Sequence, residues 1–498
     1  MTATETSAPP ADLADNPHHD RRWLILGLLG TAQLMVVLDA TVVNIALPSA
    51  QKALNFSDAN RQWIVTAYSL TFGSLLLLFG RFGDLFGRKR TLMIGLVAFG
   101  VVSAIGGAAQ SFGMLVTARA FQGAAGALLA PSALGLLTTT FTEPRERGIA
   151  FGIYGAVAGA GGAVGLLLGG VLTEYLSWRW CLYVNVIIAV PALLAAMVLL
   201  TNKVPAERPR LDVPGAVAVS LGLFLIVYGF SQAEPRGWTD WQTLGSLIVG
   251  VMLLVVFAMI ERRASHPLLP PRVVLDRNRG GSYLSVLISG AGLFGVFLFL
   301  TYYLQQTLRY SPVVTGLAFL PMVAMIVIGS TTSNAVLLPR FGPKPLVPTG
   351  MLLAAVGMVL LAQLGVHSTY AGHILPALLI IGLGLGLIFA PSINTATLGV
   401  DQEDAGVASA TVNSCQQVGG SIGTAFLNTI ATTAVTSYLV GKAVTPLVTA
   451  QAAVHGYTVA FWWAAGIFLI GALVSGTLLR PGTAVAAAEA EAQPAVAV

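Results

Sequence analysis

Fourteen times along its 498 residues the chain runs through an apolar stretch close to the length of a lipid-crossing helix. About 20 apolar residues are needed to cross a hydrocarbon core. The stretches fall near residues 23–47, 61–80, 91–109, 113–137, 148–172, 181–201, 214–231, 243–260, 281–305, 313–335, 346–366, 372–398, 406–430 and 457–479. Charge is sparse: 9% of residues are Asp, Glu, Lys or Arg and 55% are apolar, against roughly 25% charged in a soluble protein. The predicted fold class is an all-α polytopic membrane protein with 14 transmembrane helices.

Lys and Arg test the count, because they gather on the cytoplasmic side of membrane proteins. With the first residue inside, nineteen basic residues fall in cytoplasmic segments and six outside (Lys52, Arg61, Arg179, Arg236, Arg309 and Lys442), while Arg119 alone lies within a span. An even number of spans with both termini cytoplasmic is therefore predicted. The net charge of +5 sits in the loops between spans, so it is no nucleic-acid footprint. Two cysteines far apart, Cys181 and Cys415, argue against a disulfide framework, and six scattered His argue against a metal site. No Gly-x-x-x-x-Gly-Lys-Ser/Thr loop for nucleotide-driven pumping occurs, and no nucleophile–base pair suggests an enzyme. The expected organisation is a disordered cytoplasmic tail at 1–22, a six-helix bundle at 23–201, two inserted helices at 202–260, a charged, Pro-rich cytoplasmic linker at 261–280, a second six-helix bundle at 281–480, and a disordered Ala/Glu/Val tail at 481–498. The piece of the linker from Pro270 to Leu275 reads as plain linker or as a short interfacial helix.

Asp39 is the one carboxylate well inside a predicted span. Charge there costs a few kcal/mol even on lenient insertion scales, so its default reading is functional. A structural Asp near the helix-breaking Pro48 is the alternative. At a rise of about 1.5 Å per residue, Asp39 lies about 14 Å from Pro48, Arg119 about 9 Å from Gly113, and Tyr68 about 10 Å from Arg61. All three fall in one layer, with Gln122 a turn below Arg119. Arg119, Gln122 and Tyr68 are thus predicted to form the polar setting of Asp39, or Arg119 braces helices through backbone carbonyls.

Between the second and third stretches stands Gly80-Arg81-Phe82-Gly83-Asp84-Leu85-Phe86-Gly87-Arg88-Lys89-Arg90. Glycines permit the tight turn, and the basic cluster pins it to the cytoplasmic face. The string resembles the signature loop of the major facilitator superfamily. Further motifs resemble its fourteen-helix drug:proton antiporter branch: residues 38–48, Trp63 to Tyr68, the Arg119 segment, Trp178-Arg179-Trp180 with Asn185, Leu211-Asp212-Val213-Pro214-Gly215, Tyr310-Ser311-Pro312, and Ala405 to Ser409 with Asn413, Gln416 and Gln417. The resemblance covers about residues 23–480. It implies two six-helix halves with a site between them at the membrane midplane, and spans 7 and 8 as an insertion. Arg340-Phe341-Gly342 after span 10 weakly repeats Arg81-Phe82-Gly83 after span 2. The resemblance also implies a bacterial cytoplasmic membrane and export of hydrophobic compounds in exchange for protons, with Asp39 and Arg119 in proton coupling. Gly80, Gly83, Asp84, Gly87, Arg88, Lys89 and Arg90 are implied as a gating loop, with the start of span 13 a natural partner for Asp84.

Span 5 carries Gly155, Gly159, Gly161, Gly165, Gly169 and Gly170, at spacings that let helices approach closely. This resembles the branch's antiporter motif but departs from it: Leu166 stands where the family has Pro, which removes a kink. Ordinary close packing is the other reading of these glycines. A pocket for hydrophobic compounds is mostly apolar with a few polar groups; the candidates are Phe294, Phe297, Gln305, Met325, Asn334, Phe389, Asn394, Asn413 and Gln417. The predicted function is a proton-coupled exporter of hydrophobic drugs or antibiotics; the alternative is a proton-coupled symporter for a small organic solute. Its partners are the hydrophobic substrate, protons and membrane lipid. The energy source is the proton gradient, with no cofactor, and a functional monomer is expected because one chain forms both halves.

Overall fold

A backbone in hydrocarbon must satisfy its own N–H and C=O groups, and a helix does so within one segment. The computed structural model describes residues 19–80, 82–141, 143–201, 212–264, 267–398, 400, 405–443 and 445–481, and every regular element among them is helical. Fourteen of these helices are 19 residues or longer. They are α1 (Arg22–Leu54), α2 (Gln62–Gly80), α3 (Arg88–Gly107), α4 (Phe112–Thr140), α5 (Pro144–Tyr175), α6 (Trp180–Leu199), α7 (Val213–Arg236), α8 (Trp241–Arg263), α9 (Arg277–Tyr302), α10 (Pro312–Thr332), α11 (Pro343–Leu361), α12 (Leu375–Thr397), α13 (Ala405–Leu439) and α14 (Pro446–Leu478). Single π-turns extend α9 and α10 (Tyr303–Thr307, Ser333–Leu337) and precede α12 (Tyr370–Ile374). Twelve helices among the described residues are long and apolar enough to cross a membrane; α2 and α13 are outside that set.

The sequence marks the helix ends. Ser111, Asp212, Asp240, Asp276, Ser311 and Thr445 each accept a hydrogen bond from a backbone N–H in the first turn of the helix they precede. Several helices overrun the predicted stretches, while α11 stops at Leu361, short of 366. α13 continues to Leu439 rather than residue 430, and α14 starts at Pro446 rather than 457. An apolar window marks the part dissolved in lipid, whereas the hydrogen-bonded ladder carries on past it. In the linker, Pro271–Val274 forms a single helical turn. The segment 202–211 and both tails, 1–18 and 482–498, lie outside the described residues.

α1–α6 pack mainly on one another as a first bundle, and α9–α14 do the same as a second. At the end where α1 closes on Leu54, the bundles share one apolar core: Leu47, Ile64 and Leu166 of the first pack in the same cluster as Val296, Phe299, Tyr302 and Phe319 of the second. Towards the Gly80 end the first bundle has a core of its own, built on Ile25, Leu29, Phe72, Leu92, Phe99 and Leu137. Polar contacts also cross between bundles at the Leu54 end. Tyr302 Oη donates to Gln51 Oε1 (2.5 Å), Gln305 Nε2 to the Ile45 carbonyl (3.0 Å), and the Val313 N–H to Glu174 Oε2 (3.0 Å). The two bundles are therefore sealed together at this end.

The inserted pair is a hairpin. α7 and α8 approach closely at Gly222 and Gly250, where an added methyl would come 3.1 and 2.9 Å from the carbonyl oxygen of the other glycine. α7 wedges against α2 and α13: Leu223 and Val227 pack with Leu70, Val418 and Ala425, and Thr429 Oγ1 donates to the Phe230 carbonyl (2.8 Å). The weak repeat is visible in the backbone. Gly87 before α3 and Gly342 before α11 both have positive φ (87° and 72°), a conformation that glycine adopts without a Cβ clash.

Candidate functional site

The polar centre lies inside the first bundle. α1 supplies Asp39, α4 supplies Arg119 and Gln122 from one face at i and i+3, α6 supplies Asn185, α3 Ser103 and α2 Tyr68. All are at most 1% exposed. Arg119 Nη1 donates to Asp39 Oδ2 at 2.5 Å. The other carboxylate oxygen accepts from Asn185 Nδ2 (2.7 Å) and Gln122 Nε2 (3.1 Å). Gln122 Nε2 also reaches Ser103 Oγ (2.7 Å), and its Oε1 accepts from Arg119 Nη1 (3.0 Å). Arg119 Nε donates to the Ile64 carbonyl (3.0 Å), so the guanidinium both pairs with the acid and braces α2.

The structure brings Asp39, Arg119, Gln122 and Tyr68 together. The Tyr68 ring lies under the Arg119 guanidinium, 4.4 Å from carbon to centroid, and its hydroxyl donates to the Val36 carbonyl (3.3 Å). Tyr68 holds the cation rather than the acid. A buried ion pair is tolerable only when its remaining hydrogen-bonding capacity is met, and Gln122 and Asn185 do this for the carboxylate. Asn185 Oδ1 itself has no protein partner among the described residues. Next to this layer, towards the Leu54 end, a small void is lined by Val43, Leu47, Ile64, Leu115, Arg119 and Cys181.

The glycine face of α5 lies along α1 beside Asp39. A methyl at Gly165 would overlap Thr41 Oγ1 and come 3.2 Å from the Leu38 carbonyl; at Gly169 it would be 2.8 Å from the Val42 carbonyl; at Gly161 it would meet Val37 at 3.1 Å. Gly170 instead faces the other bundle, 2.7 Å from the Pro312 carbonyl, and Gly155 faces open space. Gly159 is described only by its place on α5. Leu166 is fully buried, and its carbonyl abuts Gly316 of α10.

In the basic loop, Phe82–Phe86 is a short helix. Arg88 Nη1 donates to the Gly135 carbonyl of α4. Lys89 Nζ donates to the carbonyls of Met197 and Leu200 (2.9 and 2.5 Å) at the end of α6, a cation at a helix C-terminus. Gly83 lies 3.2 Å from Arg88 Cγ, measured from an added methyl, and Gly80 lies 3.6 Å from Pro131; Arg90 is exposed. The side chain of Asp84 and residues 401–404 at the start of α13 lie outside the described residues.

The substrate candidates scatter. Phe294 packs over Gly420, Phe297 tilts on Phe319 (5.1 Å between centroids), and Met325 abuts Gly382. Gln305 belongs to the seal between bundles, and Gln417 meets Gly73 of α2. Asn413 bonds back to Ser409 of its own helix (3.2 Å). Phe389 is half-buried, and Asn334 and Asn394 are exposed.

The profile described as Major Facilitator Superfamily matches residues 29–424. The chain belongs to the major facilitator superfamily. Among curated major facilitators it is 51% identical over 482 residues to the puromycin resistance protein pur8 of Streptomyces alboniger, covering 96% of each chain. It is 41% identical to the cephamycin export protein CmcT of Amycolatopsis lactamdurans, covering 81% of this chain and 84% of that one. It is 36% identical to the tetracenomycin C resistance and export protein of Streptomyces glaucescens, covering 86% and 80%. The resemblance to the drug-exporting branch read from the motifs agrees with these relatives. The crystal structure of an auto-inhibited POT family peptide transporter has the same fold at a TM-score of 0.66 and 15% identity, covering 93% of this chain and 100% of that one.

Asn185 and Ser103 complete the centre of this major facilitator and were not among the predicted site residues. Asn185 carried a signal, an amide in an otherwise apolar span. Depth arithmetic alone does not tell which side of α6 it faces.

Proposed function

We propose that the chain is a proton-coupled secondary exporter of hydrophobic small molecules of the antibiotic type. It works by alternating access in a bacterial cytoplasmic membrane, with α1–α14 all spanning and both termini cytoplasmic. The Leu54 end then faces outward, and the bundles are closed there and served from the cytoplasm. The observation that carries the reading is the Asp39–Arg119 pair, which is buried, held by Gln122, Asn185 and the Ile64 carbonyl, and set on the helix that the α5 glycine face touches. The relatives named for export and resistance support the direction and class of cargo.

In this reading Asp39 carries the proton, which arrives from outside through the void beside Arg119. Protonation removes the negative partner of Arg119, whose charge then rests on the Ile64 carbonyl, Gln122 Oε1 and the Tyr68 ring. The α1–α4–α6 contact changes, and α1 shifts against α5, where the glycines leave no side chains between the backbones. Asp84 and its neighbours gate the cytoplasmic end. Cargo binds between the bundles near Phe294, Phe297, Met325, Phe389, Asn394 and Gln417. The protein works as a monomer, and the proton gradient is its energy source.

Proteoliposomes under an imposed pH gradient test this directly, with lipophilic cations and neutral polycyclic compounds as cargo. Gradient-driven movement is expected in the wild type, and Asp39→Asn is expected to lose it while still binding cargo. Full gradient-driven efflux by Asp39→Asn would refute the carrier role.

A further inference from the structure

By sequence Arg61 is an outside charge at the very start of the second stretch, yet it is 2% exposed. It stands just before α2, in the first bundle, and its guanidinium enters the second. The carbon lies 4.3 Å from the Tyr302 ring centroid and 5.7 Å from those of Phe299 and Tyr457. Its Nε donates to Asn428 Oδ1 at 3.1 Å. Asn428 turns its amide back across the seam to the carbonyls of Asp58 and Ala59 (3.3 and 3.4 Å). All four residues of this cage, from α9, α13 and α14, are at most 3% exposed. At the rim, the exposed carboxylate of Asp58 stands 3.6 Å from Arg61 Nη1.

Three ring faces and an amide oxygen converging on one point make a receptor for a positive charge, because aromatic faces are negative and the attraction grows when water is excluded. The receptor belongs wholly to one bundle and its occupant wholly to the other. Any motion that parts the bundles at the Leu54 end must draw Arg61 out and leave the cage empty. We propose that the Phe299–Tyr302–Tyr457–Asn428 cage is a binding site for compact organic cations, and that Arg61 is its built-in occupant while this end is closed. Resting on the exporter reading, this gives cargo bearing a protonated amine or guanidine a site at the outer mouth, available only once Arg61 has left. Inside the closed protein the same contacts hold the two bundles together.

The test uses purified full-length protein without cargo or gradient, so its result stands apart from the exporter reading. Spin labels at Ser57→Cys and Val440→Cys, both exposed at the Leu54 end and on opposite bundles, report the separation in a Cys415→Ala background. Arg61→Ala is expected to raise the open-to-closed ratio by about 30-fold, the equivalent of a desolvated cation–π contact of about 2 kcal/mol. Arg61→Lys, which keeps a cation, is expected to stay largely closed. Millimolar guanidinium added to Arg61→Ala is expected to refill the cage, bridge to Asp58 and restore the short distance, where sodium at equal ionic strength does not. Adding Tyr302→Leu to Arg61→Ala is expected to abolish that rescue. Opening without rescue by guanidinium overturns the cation site, and an unchanged distance in Arg61→Ala overturns the latch as well. Should Arg61→Ala not fold, Tyr302→Leu is compared with Tyr302→Phe, which loses only the Gln51 bond: the Leu variant is expected to shift the distances further towards open, and equal shifts overturn the proposal.

Discussion

Asp39→Asn is nearly isosteric but removes one charge of a pair whose members are 0% and 1% exposed and 2.5 Å apart. With charge centres about 4 Å apart and an effective dielectric of about 20, the attraction lost is about 4 kcal/mol. Removing one partner of a buried pair costs about 3–5 kcal/mol, because the other charge stays behind unpaired. Arg119 would keep the Ile64 carbonyl, Gln122 Oε1 and the Tyr68 ring, so the lower part of that range is expected. Arg119→Gln alone leaves the Asp39 carboxylate with two amide donors and is expected to cost a similar amount. The double variant leaves neutral, mutually hydrogen-bonding side chains, and is expected to cost no more than either single. The coupling should therefore reach at least about 2 kcal/mol, where independent sites add to within about 0.5 kcal/mol. The assay is the thermal unfolding midpoint of the four proteins in one detergent, converted with a common slope. Additive losses would refute the claim that the pair is energetically one unit, whatever its role in transport.

Gly165→Ala is expected to destabilise by about 1–3 kcal/mol through overpacking, since the methyl overlaps Thr41 Oγ1, and to slow transport. Adding Thr41→Ala should return part of the loss, while Gly155→Ala, facing open space, should change neither midpoint nor turnover; equal effects at the two glycines would count against the packing argument. Leu166→Pro restores the family residue but removes a helical N–H and a fully buried side chain at the α5–α10 seam. A loss of about 3 kcal/mol or more is expected, read as a lower melting midpoint; an unchanged midpoint would show that α5 already accommodates the kink.

Much of this protein is set by segment properties that need no partner. Apolar length fixed where the helices lie, to within the turns by which α13 and α14 overrun their windows. Depth counted along each helix brings Asp39, Arg119 and Tyr68 to one level, with Gln122 a turn below, because rise per residue is nearly constant. The motifs of the loop and of α1 carried the family. Rotation about each helix axis and the choice of neighbours are another matter, since lipid treats all apolar faces alike and packing decides between them.

Asn185 reaches Asp39 across 146 residues of chain, and Arg61 reaches Asn428 across 367. No local pattern encodes such meetings. Tyr68 shows the difference at a single residue: sequence placed it at the right depth, and only the packing of α2 on α4 put its ring beneath the guanidinium. Arg61 shows it more strongly. By sequence it is an outside charge at the start of the second stretch; the tertiary structure buries it, because the aromatic faces of α9 and α14 in the opposite bundle replace the water it gives up.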